Sequence, residues 1–365
     1  MKICAFGLRK FPPSAGAAGA DTFAFNLFNR FALDGHEVVV FEKGWSFSRR
    51  YEQTVLVHTL PTVPIKGVST FIHSFLCSLF IIIYYRPDVA HTQNGGNAIF
   101  CWLIRIFGIR SFCSFDGVDK NRKDWGFWGR NYLKLSEKIA VRLGRNLVVD
   151  NLPTQKYLFM KYGIEISHIP FGSEVPEITS RENPIRRLTE SPYVLFVGRF
   201  VADKDIITLI AAFKKTKASK THKLVLVGGP SEKETEYSMA VKNEQSDNVL
   251  VPGFYYGDEV TNIISDAKLY VQPSLVEGLS PVVLQVVGIG TPVLVSDIPE
   301  NKVIISDEHY TFRVSDPEHL SEKIDSLLSE GTTDRYDSIV DKVREQYGWE
   351  KVYQMHLQIF KESSK

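Results

Sequence analysis

An arginine, a lysine and a glutamate in the second half of the chain stand where charged chemistry could be done. Arg199 follows the apolar run YVLFVG, and Lys204 comes five residues later, just ahead of the periodic stretch DIITLIAAF. Gly228 and Gly229 follow LVLV; Glu277 and the tight Gly278-Leu279-Ser280 turn follow LYVQPS. A cation pair together with backbone N–H groups at a helix start suits a diphosphate. Phosphate oxygens take charge-assisted hydrogen bonds from Arg and Lys, and a helix N-terminus carries partial positive charge. Each residue alone reads as a solvated surface group; the joint placement at strand ends is the signal. The amide of Gln285 lies eight residues after Glu277, on the otherwise apolar helix that the turn opens.

Other candidate constellations are weaker. The loop SAGAAGA, with Gly16 and Gly19, precedes a helix, and the next strand ends at Glu42, where a nicotinamide enzyme would place its acid. The G-x-G-x-x-G spacing is absent and the loop is too long, so the expectation is against a dinucleotide fingerprint. The glycines still allow close backbone approach to a ligand. Asp203 and Asp205 spell D-x-D, but Lys204 stands between them, and two acids there more simply open a helix. Neither G-x-S-x-G nor H-E-x-x-H occurs.

The elements that would position these groups alternate. Residues 2–6 read as a strand, 21–34 as an amphipathic helix stopped by Gly35, and HEVVVFE as a second strand. DVAHTQ, FCSFDG, NLVVDN and SHIPFG continue as short buried strands between apolar helices. The polar, proline-bearing segment 174–192 breaks the rhythm and reads as a linker. A second series follows, through KLVLVGG, NVLVPGF and LYVQPS. Alternation of this kind predicts parallel sheets covered on both faces, with ligands outside the carboxyl ends of the strands.

Composition narrows the class. With 365 residues, 44% of them hydrophobic, the chain has room for two globular domains, and a net charge of +1 leaves no footprint for nucleic acid. Cys4, Cys77, Cys101 and Cys113 are scattered among apolar residues without a CxxC pair, as reduced buried thiols would be. No secretory leader is expected at MKICAFGL. FIHSFLCSLFIIIYY, residues 71–85, falls short of the ~20 residues of a spanning helix and reads as a buried helix. The sharper alternative is a face resting on a membrane, helped by Arg105 and Arg110 beside AIFCWLIRIFGIR.

YVLFVGRFVADKDIITLIAAF and PSLVEGLSPVVLQVVGIGTPVLVSD resemble the retaining glycosyltransferases of family 4, which have the GT-B fold. The likeness runs over nearly the whole chain, and YGWEKVYQMHLQIFK is similar to that family's last helix. It implies an α/β chain of two Rossmann-like, doubly wound domains facing across a cleft. Residues 1–174 would bind the acceptor, 175–191 link, 192–345 bind the nucleotide sugar, and 346–365 return as a helix to the first domain. DGVDKNRKDWG, SEKIA and HIPFG resemble a narrower group, the bacterial rhamnosyltransferases of polysaccharide assembly. Asp116, Gly117, Arg122 and Trp125 match that group, whereas Asp119 and Lys120 replace its Glu and Trp.

The resemblance also implies roles. Arg199 and Lys204 would hold the donor diphosphate and stabilise its charge as the sugar leaves. Glu277 would bind donor-sugar hydroxyls, and the N–H groups of Gly278, Leu279 and Ser280 would meet the phosphates, with Gly198 at the same strand end. Gly253 and Phe254 would lie near the base. Asp116 and the Gly16–Gly19 loop would face sugar and acceptor. Gln285 stands where the family has the second Glu of an E-x7-E pair, which grips the ribose. No metal or cofactor is implied beyond the nucleotide sugar, dTDP- or UDP-linked, because the leaving phosphate oxygen can take the acceptor's proton. The acceptor would be a glycan or lipid-linked sugar, and the place cytoplasmic with peripheral membrane contact. The rival readings are a nucleotide-sugar- or glycan-binding protein without turnover and an epimerase or phosphorylase on the same fold.

Overall fold

The structure, a computed structural model, describes residues 1–13, 19–63, 68–115, 127–173, 182–230, 233–331 and 334–362. The chain divides into two compact units, Met1–Phe171 with Trp349–Lys365, and Gly172–Gly348.

The first unit is built on an eight-stranded sheet. Its strands are β1 (Lys2–Leu8), β2 (Glu37–Gly44), β3 (Ser48–Glu52), β4 (Val55–Pro61), β5 (Val89–Gln93), β6 (Arg110–Phe115), β7 (Leu147–Val149) and β8 (Ser167–His168), in spatial order β3-β4-β2-β1-β5-β6-β7-β8. Val38 to Phe41 and Ile3 to Phe6 are buried on both faces, as strands of a doubly covered parallel sheet are. One region departs from strict alternation: β2, β3 and β4 follow one another without a helix, and β3 pairs antiparallel with β4. The run Arg-Arg-Tyr-Glu has no apolar periodicity because β3 is an edge strand and mostly exposed.

Helix Trp349–Glu362 completes this unit. Trp349 packs on Phe23 with ring centroids 5.2 Å apart, Tyr353 on Phe31 at 4.9 Å and Phe360 on Phe112 at 4.8 Å. Arg110 Nη1 donates to the Phe360 carbonyl at 2.7 Å. The packing follows from an amphipathic helix whose Val352, His356 and Phe360 recur at four-residue intervals. His91 and His356 are buried here among Phe rings, and burial lowers both imidazoles, to about 3 and about 4.

The apolar run near residue 71 is longer than its sequence reading. Helix Val68–Phe80 continues as a π-helical turn Ile81–Tyr85, giving 18 residues of mean hydropathy 1.8. Length and composition would allow it to cross a membrane, but His73, Ser74, Cys77 and Ile81 are buried in the first unit's core.

The second unit holds β9 (Tyr193–Arg199), β10 (Lys223–Gly229), β11 (Val249–Gly253), β12 (Leu269–Gln272), β13 (Val293–Ser296) and β14 (Thr311–Phe312). All pairings are parallel, in order β11-β10-β9-β12-β13-β14. Counted within the unit this is 3-2-1-4-5-6, the doubly wound Rossmann order. Its strand direction of growth reverses between β9 and β12, and that switch point is where such sheets leave a crevice for ligands. Of the segment read as a linker, 174–181 lie outside the described residues. The rest packs on this unit: Ile185 is buried, and Asn183 donates to Tyr193 Oη at 2.9 Å and Asp266 Oδ2 at 2.8 Å.

Candidate donor site

Three of the charged residues named from sequence come together at the switch point. Arg199 is the last residue of β9 and is the register partner of Gly229 on β10. Lys204 lies in the short 3-10 turn Ala202–Lys204, and Glu277 lies between β12 and helix Pro281–Ile289. A backbone hydrogen bond, Leu275 N–H to the Asp203 carbonyl at 2.8 Å, ties the two loops together.

That tie sets Lys204 Nζ against Glu277 Oε1 in an ion pair whose side chains are only 17% and 10% exposed. The sequence reading gave these two residues separate partners; the structure joins them to each other first. Glu277 Oε1 also accepts from Gln272 Nε2 at 2.5 Å and from Ser274 Oγ at 2.6 Å. Among the described residues, Oε2 takes no hydrogen bond. Burial pushes the Glu277 carboxyl up, but the Lys204 charge and the hydrogen bonds from Lys204, Ser274 and Gln272 outweigh it. The group therefore stays below the usual carboxylate range and ionised.

Gln272 and Ser274 escaped the sequence reading. A polar residue ending a central strand and another two residues beyond it were a usable signal, because buried polar groups need partners.

The glycines at the strand ends let backbone approach backbone. At Gly228, φ is +139°, and an added Cβ would meet the Gly198 carbonyl oxygen at 1.8 Å. Gly198 itself faces Phe196, and Gly229 lies under the ring of Phe254, whose Cε2 would be 2.7 Å from an added Cβ. Phe254 follows β11 and is 39% exposed, with its ring near-parallel to Tyr256 at 6.0 Å. Gly253, at φ +94°, turns the chain out of β11 to place it. A flat exposed ring thus stands over Gly229 at the end of β10, the strand beside the one carrying Arg199.

Helix Pro281–Ile289 begins directly after the Gly278-Leu279-Ser280 turn. Ser280 is its N-cap, its Oγ accepting from Val283 N–H at 3.4 Å, and Pro281 occupies the first turn, where no N–H is lost from the ladder. Leu279 is buried and Gly278 half-buried. Gln285 is half-buried; its Nε2 makes a long, 3.4 Å hydrogen bond to Thr261 Oγ1, which leaves its single carbonyl oxygen as acceptor. Asp205, the second acid of D-x-D, accepts from Thr208 Oγ1 at 2.9 Å at the start of helix Ile206–Lys215.

In the first unit, Gly19 opens helix Gly19–Leu33, while Gly16 and Asp116, with Gly117, Asp119, Lys120, Arg122 and Trp125, lie outside the described residues. Glu42 is not available to a ribose. Its buried carboxylate accepts from Arg50 at 2.8 and 3.0 Å, Thr59 Oγ1 at 2.8 Å and the Phe11 N–H at 2.9 Å. That removes the acid on which a nicotinamide reading would rest.

Residues 17–172 match the family model described as Glycosyltransferase Family 4, and residues 179–346 match that described as Glycosyl transferases group 1. An uncharacterized glycosyltransferase of Methanocaldococcus jannaschii is 27% identical over 58% of this chain and 55% of its own length. The chain spans about half the length of the curated relatives it matches. Sucrose-phosphate synthase from Thermosynechococcus elongatus superposes with a TM-score of 0.80 at 17% identity, over 99% of this chain and 98% of that one. Anabaena HepE, solved with UDP and glucose, gives 0.78 at 12% identity over 99% and 100%. The chain thus has the GT-B fold, and each of its two units is matched over most of its length by a glycosyltransferase family model.

Proposed function

We propose that this protein moves a hexose or deoxyhexose, with retention, from a nucleotide sugar to a glycan or lipid-linked acceptor. The observation that carries the reading is the ionised Glu277, pinned beside Lys204 at the strand ends of a Rossmann-ordered sheet, with Arg199 at the neighbouring strand end. Arg199 and Lys204 then neutralise the diphosphate as it leaves, and the turn at Gly278–Ser280 supplies N–H groups at a helix start. Oε2 of Glu277 accepts from sugar hydroxyls. Phe254 offers a flat face to the base. Retention and the part of Asp116 and the Gly16–Gly19 loop are carried from the family resemblance. These residues supply charge stabilisation without calling on a metal, and the leaving phosphate oxygen serves as base. Incubation with single nucleotide sugars, scored by free nucleoside diphosphate, tests the reading. Release with at least one donor is expected. Tight binding without release would favour a protein that has lost turnover, the reading that Gln285 motivates.

The donor we favour is a deoxythymidine diphosphate sugar, such as dTDP-rhamnose, with UDP as the alternative. A carboxylate at position 285 would accept from both ribose hydroxyls, whereas Gln285 presents one acceptor oxygen, enough for a ring that lacks the 2′-hydroxyl. HepE and other structural neighbours were solved with UDP or a UDP sugar, which keeps UDP in the test. Dissociation constants for dTDP and UDP are to be measured in the wild type and in Gln285→Glu. The variant should gain more for UDP than for dTDP; equal gains, or a loss for UDP, count against this donor.

A peripheral membrane contact belongs to the same proposal. Phe71, Phe75, Ile83 and Tyr84 are exposed on the first apolar helix, and Trp102, Ile106 and Phe107 on or after helix Ala98–Ile106. The Phe71 ring lies 5.2 Å from Phe100 and 6.0 Å from Tyr132, so these two helices and Phe127–Ala140 adjoin. Lys134, Lys138 and Arg142 are exposed beside them, and the acid of helix Phe127–Ala140, Glu137, is buried against Lys161. Apolar surface rimmed by cations suits anionic lipid at a cytoplasmic face, and four free, buried thiols fit a reducing compartment. Co-flotation with anionic but not neutral vesicles at low salt is expected. Protein left wholly in the soluble fraction would reduce this surface to bare exposed side chains.

A further inference from the structure

Tyr270 and Gln272 are two residues apart on β12 and so share one face of the sheet. Both are buried. The Tyr270 hydroxyl donates to Gln272 Oε1 at 2.5 Å; Gln272 Nε2 donates to Glu277 Oε1 at 2.5 Å and to Ser274 Oγ at 3.0 Å. Chemistry fixes the direction of this chain. An ionised carboxylate only accepts, so the amide must turn its NH₂ toward Glu277. Its carbonyl then faces Tyr270, whose one proton goes to it in preference to the Val197 carbonyl at 3.3 Å. Behind Ser274 the support continues: its carbonyl accepts from Ser296 Oγ at 2.6 Å, and Asn301 Nδ2 holds that hydroxyl at 3.0 Å.

The described hydrogen bonds on Glu277 fall on one oxygen, and Lys204 approaches that same oxygen from the other loop. Lys204 has two tasks in the proposed donor site, since it pairs with Glu277 and must also meet a diphosphate. A carboxylate held by Lys204 alone would swing as the ammonium turned to the phosphates.

We propose that Gln272 is a positioning residue of the donor-sugar site: by anchoring Oε1 from the strand, it keeps Oε2 aimed at the sugar hydroxyls when Lys204 engages the diphosphate. This role rests on the donor site proposed above.

Equilibrium binding of UDP, dTDP, UDP-glucose and dTDP-rhamnose to the full chain tests it, in the wild type and two variants. Gln272→Met keeps the volume but lacks the N–H donor and the carbonyl acceptor. It should bind each diphosphate within about threefold of wild type and lose roughly tenfold or more of the affinity that the sugar adds, the worth of a hydrogen bond to a charged group. Gln272→Glu gives a signature that mere packing would not. Protonated, the new carboxyl donates to Glu277 and accepts from Tyr270, as the amide does; ionised, it repels Glu277. Carboxylates this close hold a shared proton to raised pH. Sugar discrimination in this variant should be near wild type in acid and fall as pH rises.

If Gln272→Met unfolds, the pH dependence of Gln272→Glu decides alone. A wild-type sugar increment that survives both variants at every pH overturns the positioning role and leaves the donor site standing. A wild type that binds no sugar nucleotide more tightly than its diphosphate overturns the donor-sugar site, and the positioning role with it.

Discussion

Lys204→Ala and Arg199→Ala are each expected to lower turnover by roughly 10²–10³, the loss that follows removal of one charge-stabilising donor. For Lys204 a second effect rides on the first. Its ammonium is the only cation recorded on Glu277 among the described residues. Removing it leaves a nearly buried carboxylate with two neutral donors, Gln272 and Ser274. Breaking a buried pair from one side costs about 3–5 kcal/mol, and the surviving donors should bring that to about 2–3 kcal/mol. The double variant Lys204→Ala with Glu277→Gln removes the stranded charge. It should recover most of the thermal stability and none of the activity. Steady-state kinetics and thermal unfolding on the three chains separate the two effects. Full turnover in both Arg199→Ala and Lys204→Ala would place the diphosphate elsewhere.

The other large effect is expected in the first unit. Glu42 is buried and gathers Arg50, Thr59 and the Phe11 N–H, while Arg50 also donates to the Phe11 carbonyl at 2.5 Å. This carboxylate therefore fastens the chain entering the Gly16–Gly19 region to the sheet. Glu42→Ala should destabilise by about 2–4 kcal/mol: the full cost of breaking a buried pair is discounted because Arg50 is 39% exposed and can reach water. Burial raises the Glu42 carboxyl, but the hydrogen bonds from Arg50, Phe11 and Thr59 and the Arg50 charge more than reverse this, and it lies below its ordinary value. A lowered folded value means the contribution is complete above the unfolded pKa, near 4.3 for Glu, and fades as pH falls through the folded value. Urea unfolding should thus show a wide gap between wild type and Glu42→Ala at pH 7 that narrows in acid. A gap that stays constant with pH would mean the carboxylate's charge does little.

Both cases show where sequence reading stops. Strands 193–199, 223–229 and 269–272 were legible because a parallel sheet buried on both faces needs continuous Val, Leu and Phe, and the glycines at their ends marked where backbones meet. Arg199, Lys204 and Glu277 could be placed at strand ends, so the crevice could be inferred. Their mutual pairing could not, because residues 204 and 277 meet only through the Leu275–Asp203 hydrogen bond between two loops. Glu42 stands toward the end of a strand, where a cofactor acid would, although the loop spacing argued against that role. Its true partner, Arg50, sits on an edge hairpin that carries no apolar pattern to announce it. Gln272 was hidden in the same way: a neutral amide has no charge to draw notice, and its meaning depends on which oxygen it touches.

The helix Trp349–Glu362 has a consequence in time. The apolar surface it covers, around Phe31, Phe112 and His91, is synthesised long before it, with the whole of Gly172–Gly348 in between. At ~5–20 residues per second, that surface stays uncovered on the ribosome for on the order of ten seconds or more. During that interval the second unit, continuous in sequence, can close its own core. The first to be begun is therefore the last to be finished, and the nascent chain carries a sticky face that a chaperone would be well placed to shield.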